Sequence, residues 1–387
     1  MVEPVKELDG VYILEGPMGL ELLHGEAVLL GFPVARDERL VVPIGRRLPV
    51  HFRGAKVKVF GGQLRRGSLE SYKRMQDAAR RLSELSGRIL LIGPPDSGKS
   101  TLAAWSVNAS GGNFSLLSVD VGQNEYYAPG FETLVHAGKR PLIPGLAMES
   151  LTTCFVGSFT PSRALDRYIA CASSLSRMNA NILVDTDGWI AVPSGMASKA
   201  ALAEAVKADY IVSIGLSESM AKGLAKAVGA ELVNVSTESL VPGSSKSWEE
   251  RRAHRDRLIA ARLVGSNVIP IKAGETPLIN SPVFNCDQVR VNLPGIIYAE
   301  RCGDEVVLVV RGPRVNTNSI GRRTTILVDG WERNRLAAVV GEDSNHHIAL
   351  INKINYKNKI IVLKTPYKGP PRAILIGEAR VTVTLGD

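Results

Sequence analysis

The sequence predicts an α/β fold: a parallel sheet with helices on both faces, flanked by a small N-terminal all-β domain and a β-rich C-terminal domain. Three observations predict it. Between Arg88 and about Pro270, short apolar runs alternate with helical segments, the pattern of a parallel sheet covered on both sides. "GPPDSGKST" from Gly93 stands between one such run and one such helix. On either side, Val-, Ile- and Leu-rich runs are broken by glycine, proline and polar turns, which suits antiparallel strands.

From Val11 to about Gln63, runs such as "VYILEG" and "EAVLLGFPV" are interrupted by Gly-Pro, His-Gly and Gly-Phe-Pro. Residues 1–67 are assigned to the N-terminal β domain. "SLESYKRMQDAARRLSELSG" carries apolar residues at helical spacing, with Ser68 as N-cap and Gly87 as its stop. It opens the central domain, residues 68–275. The expected strands there are "RILLIG", "FSLLSVD", "TTCFVGS", "NILVDT", "DYIVSIG" and "ELVNVS". The helices between them include "KSTLAAWSVN" and "GMASKAALAEAVKA". In residues 276–387 helix signals fade and runs such as "DEVVLVV", "RTTILVDG" and "KIIVLKTP" return.

Of 387 residues, 45% are hydrophobic and 22% charged, with a net charge of +9. Such a chain can bury sizeable cores, and its basic excess favours polyanionic partners, nucleic acid first. The start "MVEPVKELDG" has no apolar signal core and no run approaches membrane-spanning length. The expectation is a soluble, cytoplasmic protein without a membrane partner. Cys154, Cys171, Cys286 and Cys302 are widely spaced with no CxxC pair, and are expected as reduced, apolar core residues.

Residues Gly93 to Ser100 fit G-x-x-x-x-G-K-[ST] in the strand–helix context the motif requires. Gly93, Pro94, Pro95, Asp96, Ser97 and Gly98 form the cradle. Its backbone N–H groups and the helix N-terminus suit a triphosphate. Lys99 is expected at the β- and γ-phosphates and the Ser100 hydroxyl on Mg²⁺. The completing carboxylate is Asp120 or Asp185, each at the C-terminal end of an apolar strand. "DTDG" from Asp185 also fits the D-x-x-G of a switch GTPase. The guanine-reading Asn-Lys-x-Asp is missing, its nearest echo being "NKIN" from Asn352.

"SSKSWEERRAHRDRLIAARL" from Ser244 interleaves Lys246, Arg251, Arg252, Arg255 and Arg257 with Glu249, Glu250 and Asp256. Such a run serves as a solvated, ion-paired helix face or as an arginine-bearing lid over transferring phosphate.

Together these segments resemble the RNA 5′-hydroxyl polynucleotide kinase family, which includes the kinases of mRNA 3′-end cleavage, tRNA splicing and pre-rRNA processing and the archaeal polynucleotide kinases. The resemblance rests on "LLHGEAVLLGFPV", "GPPDSGKST", "VDVGQNEYYAPG", "FVGSFTP", "VDTDGWI" and "LAAVVGEDSNHHIALINKI", in that order along nearly the whole chain. It implies ATP and Mg²⁺ as cofactors and transfer of the γ-phosphate to the 5′-hydroxyl end of RNA or DNA. Lys99, Ser100 and Thr101 hold phosphates, with Ser100 and Asp120 on the metal and Asp120 as general base. Gln123 lies toward the nucleic acid. Thr186, Gly188 and Trp189 form the clasp on the terminal nucleotide, where an aromatic ring can stack on any base. Glu15 lies near the adenine, and one of Arg251, Arg252 and Arg255 is the lid arginine. Implied partners are single-stranded 5′ ends and tRNA-splicing or rRNA-processing proteins.

Three positions depart from the family pattern. Ser118 replaces a second acid, Ser244 replaces an arginine ahead of the lid, and Asp185 stands where Asn is common. The first two motivate an alternative, an ATP-bound scaffold subunit of an RNA-processing complex. The switch GTPase is a third reading.

Overall fold

The computed structural model describes residues 5–37, 39–136, 141–146, 151–191, 193–235, 247–312 and 323–382. The lid positions Ser244 and Lys246 lie outside the described residues. The chain divides into two compact units, residues 1–152 with 165–255, and residues 153–164 with 256–387. No helix among the described residues is long and apolar enough to cross a membrane.

In the first unit, an antiparallel sheet is built mainly from Val5–Glu15, Met18–Leu29 and Arg47–Phe60. Alternate residues of these strands, such as Leu20, Leu22, Val50 and Phe52, are fully buried. They share one core with Leu102 and Trp105, so this sheet packs onto the helix that follows the phosphate loop. The helix Leu69–Ser83 lies in the same layer, Tyr72 meeting Trp105 with ring centroids 4.8 Å apart. Ser68 caps it as expected, its Oγ accepting from the Ser71 N–H at 3.2 Å. Gly87 does not end this helix, which stops at Ser83. It opens the next strand instead, where a β-carbon would lie 2.4 Å from Asp209 Oδ2.

The second sheet of this unit runs in the order Leu151–Phe155, Phe131–Val135, Ser115–Ser118, Ile182–Asp185, Arg88–Ile92, Tyr210–Ser213, Glu231–Asn234. The last five are parallel. Right-handed crossovers put the helix Lys99–Ala109 on one face. They put Leu165–Ser176, Ser194–Val206 and Glu218–Val228 on the other. The expected parallel sheet is present in these five strands, and a strand beyond them runs the other way. Phe131–Val135 pairs antiparallel with Ser115–Ser118, the connecting residues 119–130 folding as turns and bends with no crossover helix among them. The strand Leu151–Phe155 runs from the first unit into the second.

The second unit is β-rich. Its larger sheet is ordered Asn267–Lys272, Ile360–Thr365, His346–Asn355, Arg335–Val340, Ala373–Arg380, Leu278–Ile279. Ala337, Val339, Ile351, Ile361 and Leu363 fill its core. A smaller sheet joins Asp287–Gln288, Ile296–Cys302, Glu305–Val310 and Thr324–Val328.

The cysteine expectation is corrected as well. All four cysteines are disulfide-bonded, and Cys286 pairs with Cys302 across 16 residues of sequence. The antiparallel pairing of Asp287 with Arg301 sets the flanking cysteines face to face, their Cα atoms 5.3 Å apart. Spacing along the chain does not reveal such a cross-strand neighbour.

Candidate functional site

The phosphate loop leaves the buried strand Arg88–Ile92 and ends where the helix begins at Lys99. Asp96 and Gly98 take left-handed backbone angles, φ 59° and 90°, which turn the loop around a central cavity. Lys99 is buried, and its Nζ donates to the carbonyl oxygens of Gly93 at 2.9 Å and Pro94 at 2.7 Å. Burial lowers its pKa, while the nearby Asp185 and Asp120 carboxylates oppose that shift.

Two of those acids sit at neighbouring strand ends. Asp185 pairs in register with Leu91 of the loop strand and with Ser118. Its carboxylate accepts the Ser100 hydroxyl, and burial pushes its pKa up to about 7, with Ser100 and Lys99 resisting. Its Oδ1 has no hydrogen-bond partner among the described residues. A buried carboxylate oxygen left unsatisfied beside a loop serine fits a hard cation. Asp120 follows the next strand outward and is aimed by its own loop, Oδ1 accepting the N–H groups of Gly122 and Gln123 at 3.0 Å each. Burial raises its pKa, the charge of Asp187 adds to the rise, and Lys99 opposes it. Lys99, Ser100, Asp120 and Asp185 therefore converge on the mouth of the phosphate loop. Of the two candidate carboxylates, Asp185 is the one hydrogen-bonded to Ser100.

The segment from Thr186 to Trp189 forms the wall beside the loop. The Thr186 Oγ1 donates to the Leu91 carbonyl at 2.7 Å, so this hydroxyl anchors the backbone. Gly188 lies against the phosphate loop, where a β-carbon would meet Pro95 N at 2.5 Å. Trp189 is half-buried, and its N–H donates to Asp187 Oδ1 at 2.7 Å. The other oxygen of Asp187 receives Lys199 Nζ at 2.5 Å and the Tyr168 hydroxyl at 2.9 Å. Sequence reasoning missed this buried network. The signal was a lone lysine inside the small, apolar helix "GMASKAALAEAV".

From the helix Trp248–Arg262, Arg251 reaches the phosphate loop and pairs with Asp96 at 2.5 Å. Arg252 lies over the Trp248 ring, 5.4 Å from its centroid, and Arg255 is half-buried. One turn after Arg251, His254 Nε2 lies 3.2 Å from Glu125 Oε1. Glu125 also pairs with Arg46. None of these last three was read from the sequence. Glu15 is engaged by Arg47 at 3.1 Å and Arg65 at 3.4 Å. Asn352, in the "NKIN" echo, lies on a strand of the second unit, away in sequence and sheet from the phosphate loop.

The family described as mRNA cleavage and polyadenylation factor CLP1 P-loop matches residues 93–261. Among curated proteins, the chain is similar to the polyribonucleotide 5′-hydroxyl-kinase Clp1 of Xenopus tropicalis, 25% identical over 204 residues, 45% of this chain and 46% of that protein. The protein of the same name from Homo sapiens is 24% identical over 223 residues, 50% of this chain and 52% of its own length. The chain thus spans about half the length of the curated relatives it matches. Among solved structures, wild-type Clp1p in its complex with Pcf11p aligns with a TM-score of 0.66 at 12% identity, covering 98% of both chains. A second Clp1p structure, from work on its extended interface with Pcf11p, gives 0.64 at 13% identity. These two likenesses concern the fold. The strand order and the match across residues 93–261 lead to one conclusion: this stretch is similar to the P-loop region of the mRNA cleavage and polyadenylation factor CLP1, and with the curated relatives it supports a likeness to the RNA 5′-hydroxyl kinase family.

Proposed function

We propose that the protein is an ATP-dependent polynucleotide 5′-hydroxyl kinase acting on single-stranded RNA, or DNA, ends. The observation that carries this reading is the pair of buried acids at the phosphate-loop mouth. Asp185 is tied to Ser100, while Asp120 stands apart from that contact and is oriented by its own loop amides. A switch or scaffold needs one carboxylate near the metal. A kinase needs a second one, free to receive a proton.

In this reading the loop amides and Lys99 bind the phosphates of ATP, and Lys99 exchanges its two carbonyl partners for phosphate oxygens. Ser100, with Asp120 or Asp185, would hold Mg²⁺, which when bound offsets charge on the phosphate oxygens. Asp120 accepts the proton of the 5′-hydroxyl, whose oxygen forms the new bond to the γ-phosphorus as the bond to the β-bridging oxygen breaks and ADP leaves. Arg251 faces the loop and stabilises charge spreading on the transferred group. Gln123 and the Thr186–Trp189 wall position the acceptor, with Trp189 stacking on its terminal base. Glu15 is assigned to the adenine side. The names of the curated relatives support the substrate class. The Pcf11p-bound neighbour supports a seat in an RNA-processing assembly, whether in tRNA splicing or rRNA processing.

The test is transfer of label from γ-labelled ATP to paired 5′-hydroxyl RNA and DNA oligonucleotides. Label on the oligonucleotide, lost in Lys99→Ala and Asp120→Asn, is expected. No label across metals and temperatures, with ATP still bound, would favour the scaffold, and GTP outcompeting ATP would favour the switch.

A further inference from the structure

Glu125, Arg46 and His254 come from three different elements of the first unit and meet at one carboxylate oxygen. Glu125 Oε1 receives His254 Nε2 at 3.2 Å and pairs with Arg46. Glu125 and His254 are only 7% and 5% exposed. Arg46 is largely buried, and desolvation brings its pKa down to about 10 against the pull of Asp185 and Tyr126. Gathering charged groups around one carboxylate out of water is costly, and apolar side chains of the same volume would stabilise such a junction at least as well. Selection for adhesion alone does not account for it.

The three elements are those the reaction needs to bring into register. Glu125 closes the loop that begins at Asp120. That loop is stiff: Asn124 Nδ2 donates to the Phe131 carbonyl at 2.8 Å and Thr133 Oγ1 at 2.9 Å, while its Oδ1 accepts the Tyr126 and Tyr127 N–H groups. His254 stands one turn beyond Arg251 on the arginine-bearing helix, on the face that meets this unit. Arg46 ends the turn before the strand Arg47–Phe60, where its carbonyl accepts the Gly16 N–H at 2.9 Å and its N–H donates to the Pro43 carbonyl at 3.1 Å.

We infer that Glu125 is a positioning residue: through His254 and Arg46 it clamps the arginine helix and the N-terminal sheet to the loop of the general base, and so sets Arg251 against Asp120. The catalytic part of this inference rests on the kinase reading. The clamp itself does not.

Hydrogen exchange on the full chain tests the clamp without any turnover. Glu125→Gln keeps the shape and removes the charge. It is expected to speed exchange of the described amides of the helix Trp248–Arg262 by about tenfold or more, with the second-unit strands His346–Asn355 and Ile360–Thr365 unchanged. Unchanged protection of the helix would overturn the inference. If Glu125→Gln does not fold, His254→Asn removes the contact from the helix side alone and is read in the same way. Label transfer then tests positioning through a double-mutant cycle. Glu125→Gln is expected to lower kcat about 10²-fold with little change in KM for ATP. In an Arg251→Ala background the same change should cost little more, because both act through one contact. Fully multiplicative losses would mean that Glu125 does not act through the helix. A wild-type protein that transfers no label would overturn the kinase reading while leaving the exchange result to decide the clamp.

Discussion

The Ser100 hydroxyl donates to the Asp185 carboxylate, and Asp185 stands one strand nearer the phosphate loop than Asp120 does. The kinase reading divides the work between these two acids. Asp185→Asn is expected to weaken Mg²⁺-dependent ATP binding by about tenfold or more, because the metal loses a charged ligand or its support. Asp120→Asn should leave ATP binding nearly intact and lower transfer by roughly 10²–10⁴. Calorimetry with and without Mg²⁺, beside label transfer, separates the two. The reverse pattern would exchange their roles.

Asp185 also gives the metal-free protein a pH dependence. Folded, it keeps its proton up to about pH 7; in the unfolded chain it releases it near an ordinary aspartate pKa of about 3.9. Between those values the native state binds more protons than the unfolded state, so this group's contribution to stability falls as pH rises through the window. Below the window the contribution is full, and above it the penalty of the buried charge is complete. Urea unfolding in EDTA between about pH 4 and 8 should show a decline in the wild type that is shallower in Asp185→Asn. Equal slopes in the two proteins would assign the titration to another group.

The glycine at 188 makes a sharper demand than its place in a Thr-x-Gly-Trp stretch suggests. A methyl group there would sit 2.5 Å from Pro95 N and 2.6 Å from Pro95 Cγ. Neither neighbour can yield without moving the phosphate loop. Gly188→Ala is therefore expected to weaken ATP binding, with Trp189 untouched in composition. Trp189→Ala should instead raise KM for the oligonucleotide, roughly five- to 150-fold for the loss of one stacked base, at unchanged ATP affinity. Intact ATP binding in Gly188→Ala would show that the loop adapts.

Much of this was legible because it is local. The phosphate loop announces itself by glycine, lysine and serine at fixed spacing, and its flanking strand and helix by their apolar runs. Asp120 was visible as the acid ending one such run. The pairing of Ser100 with Asp185 was not, because strand order decides which acid lies beside the loop, and the order of the strands is a long-range fact. The antiparallel strand Phe131–Val135 was hidden for the same reason, as was the bond from Cys286 to Cys302. Buried polar partners were the least visible of all. Lys199, Glu125 and His254 look like surface residues in sequence and are 0%, 7% and 5% exposed.

Lys199 shows what such a hidden charge is worth. It is fully buried in the helix Ser194–Val206, with Asp187 as its ion-pair partner and the Tyr168 ring 6.0 Å from its Nζ. Removing the cation alone strands a buried carboxylate, so Lys199→Met is expected to cost about 3–5 kcal/mol in urea unfolding. Adding Asp187→Asn removes the stranded charge while an amide oxygen can still accept the Trp189 N–H. The double variant should therefore recover most of the loss. If it is no more stable than Lys199→Met, the lysine matters through the volume of its aliphatic stem, and Asp187 holds the Trp189 wall without needing a counter-charge.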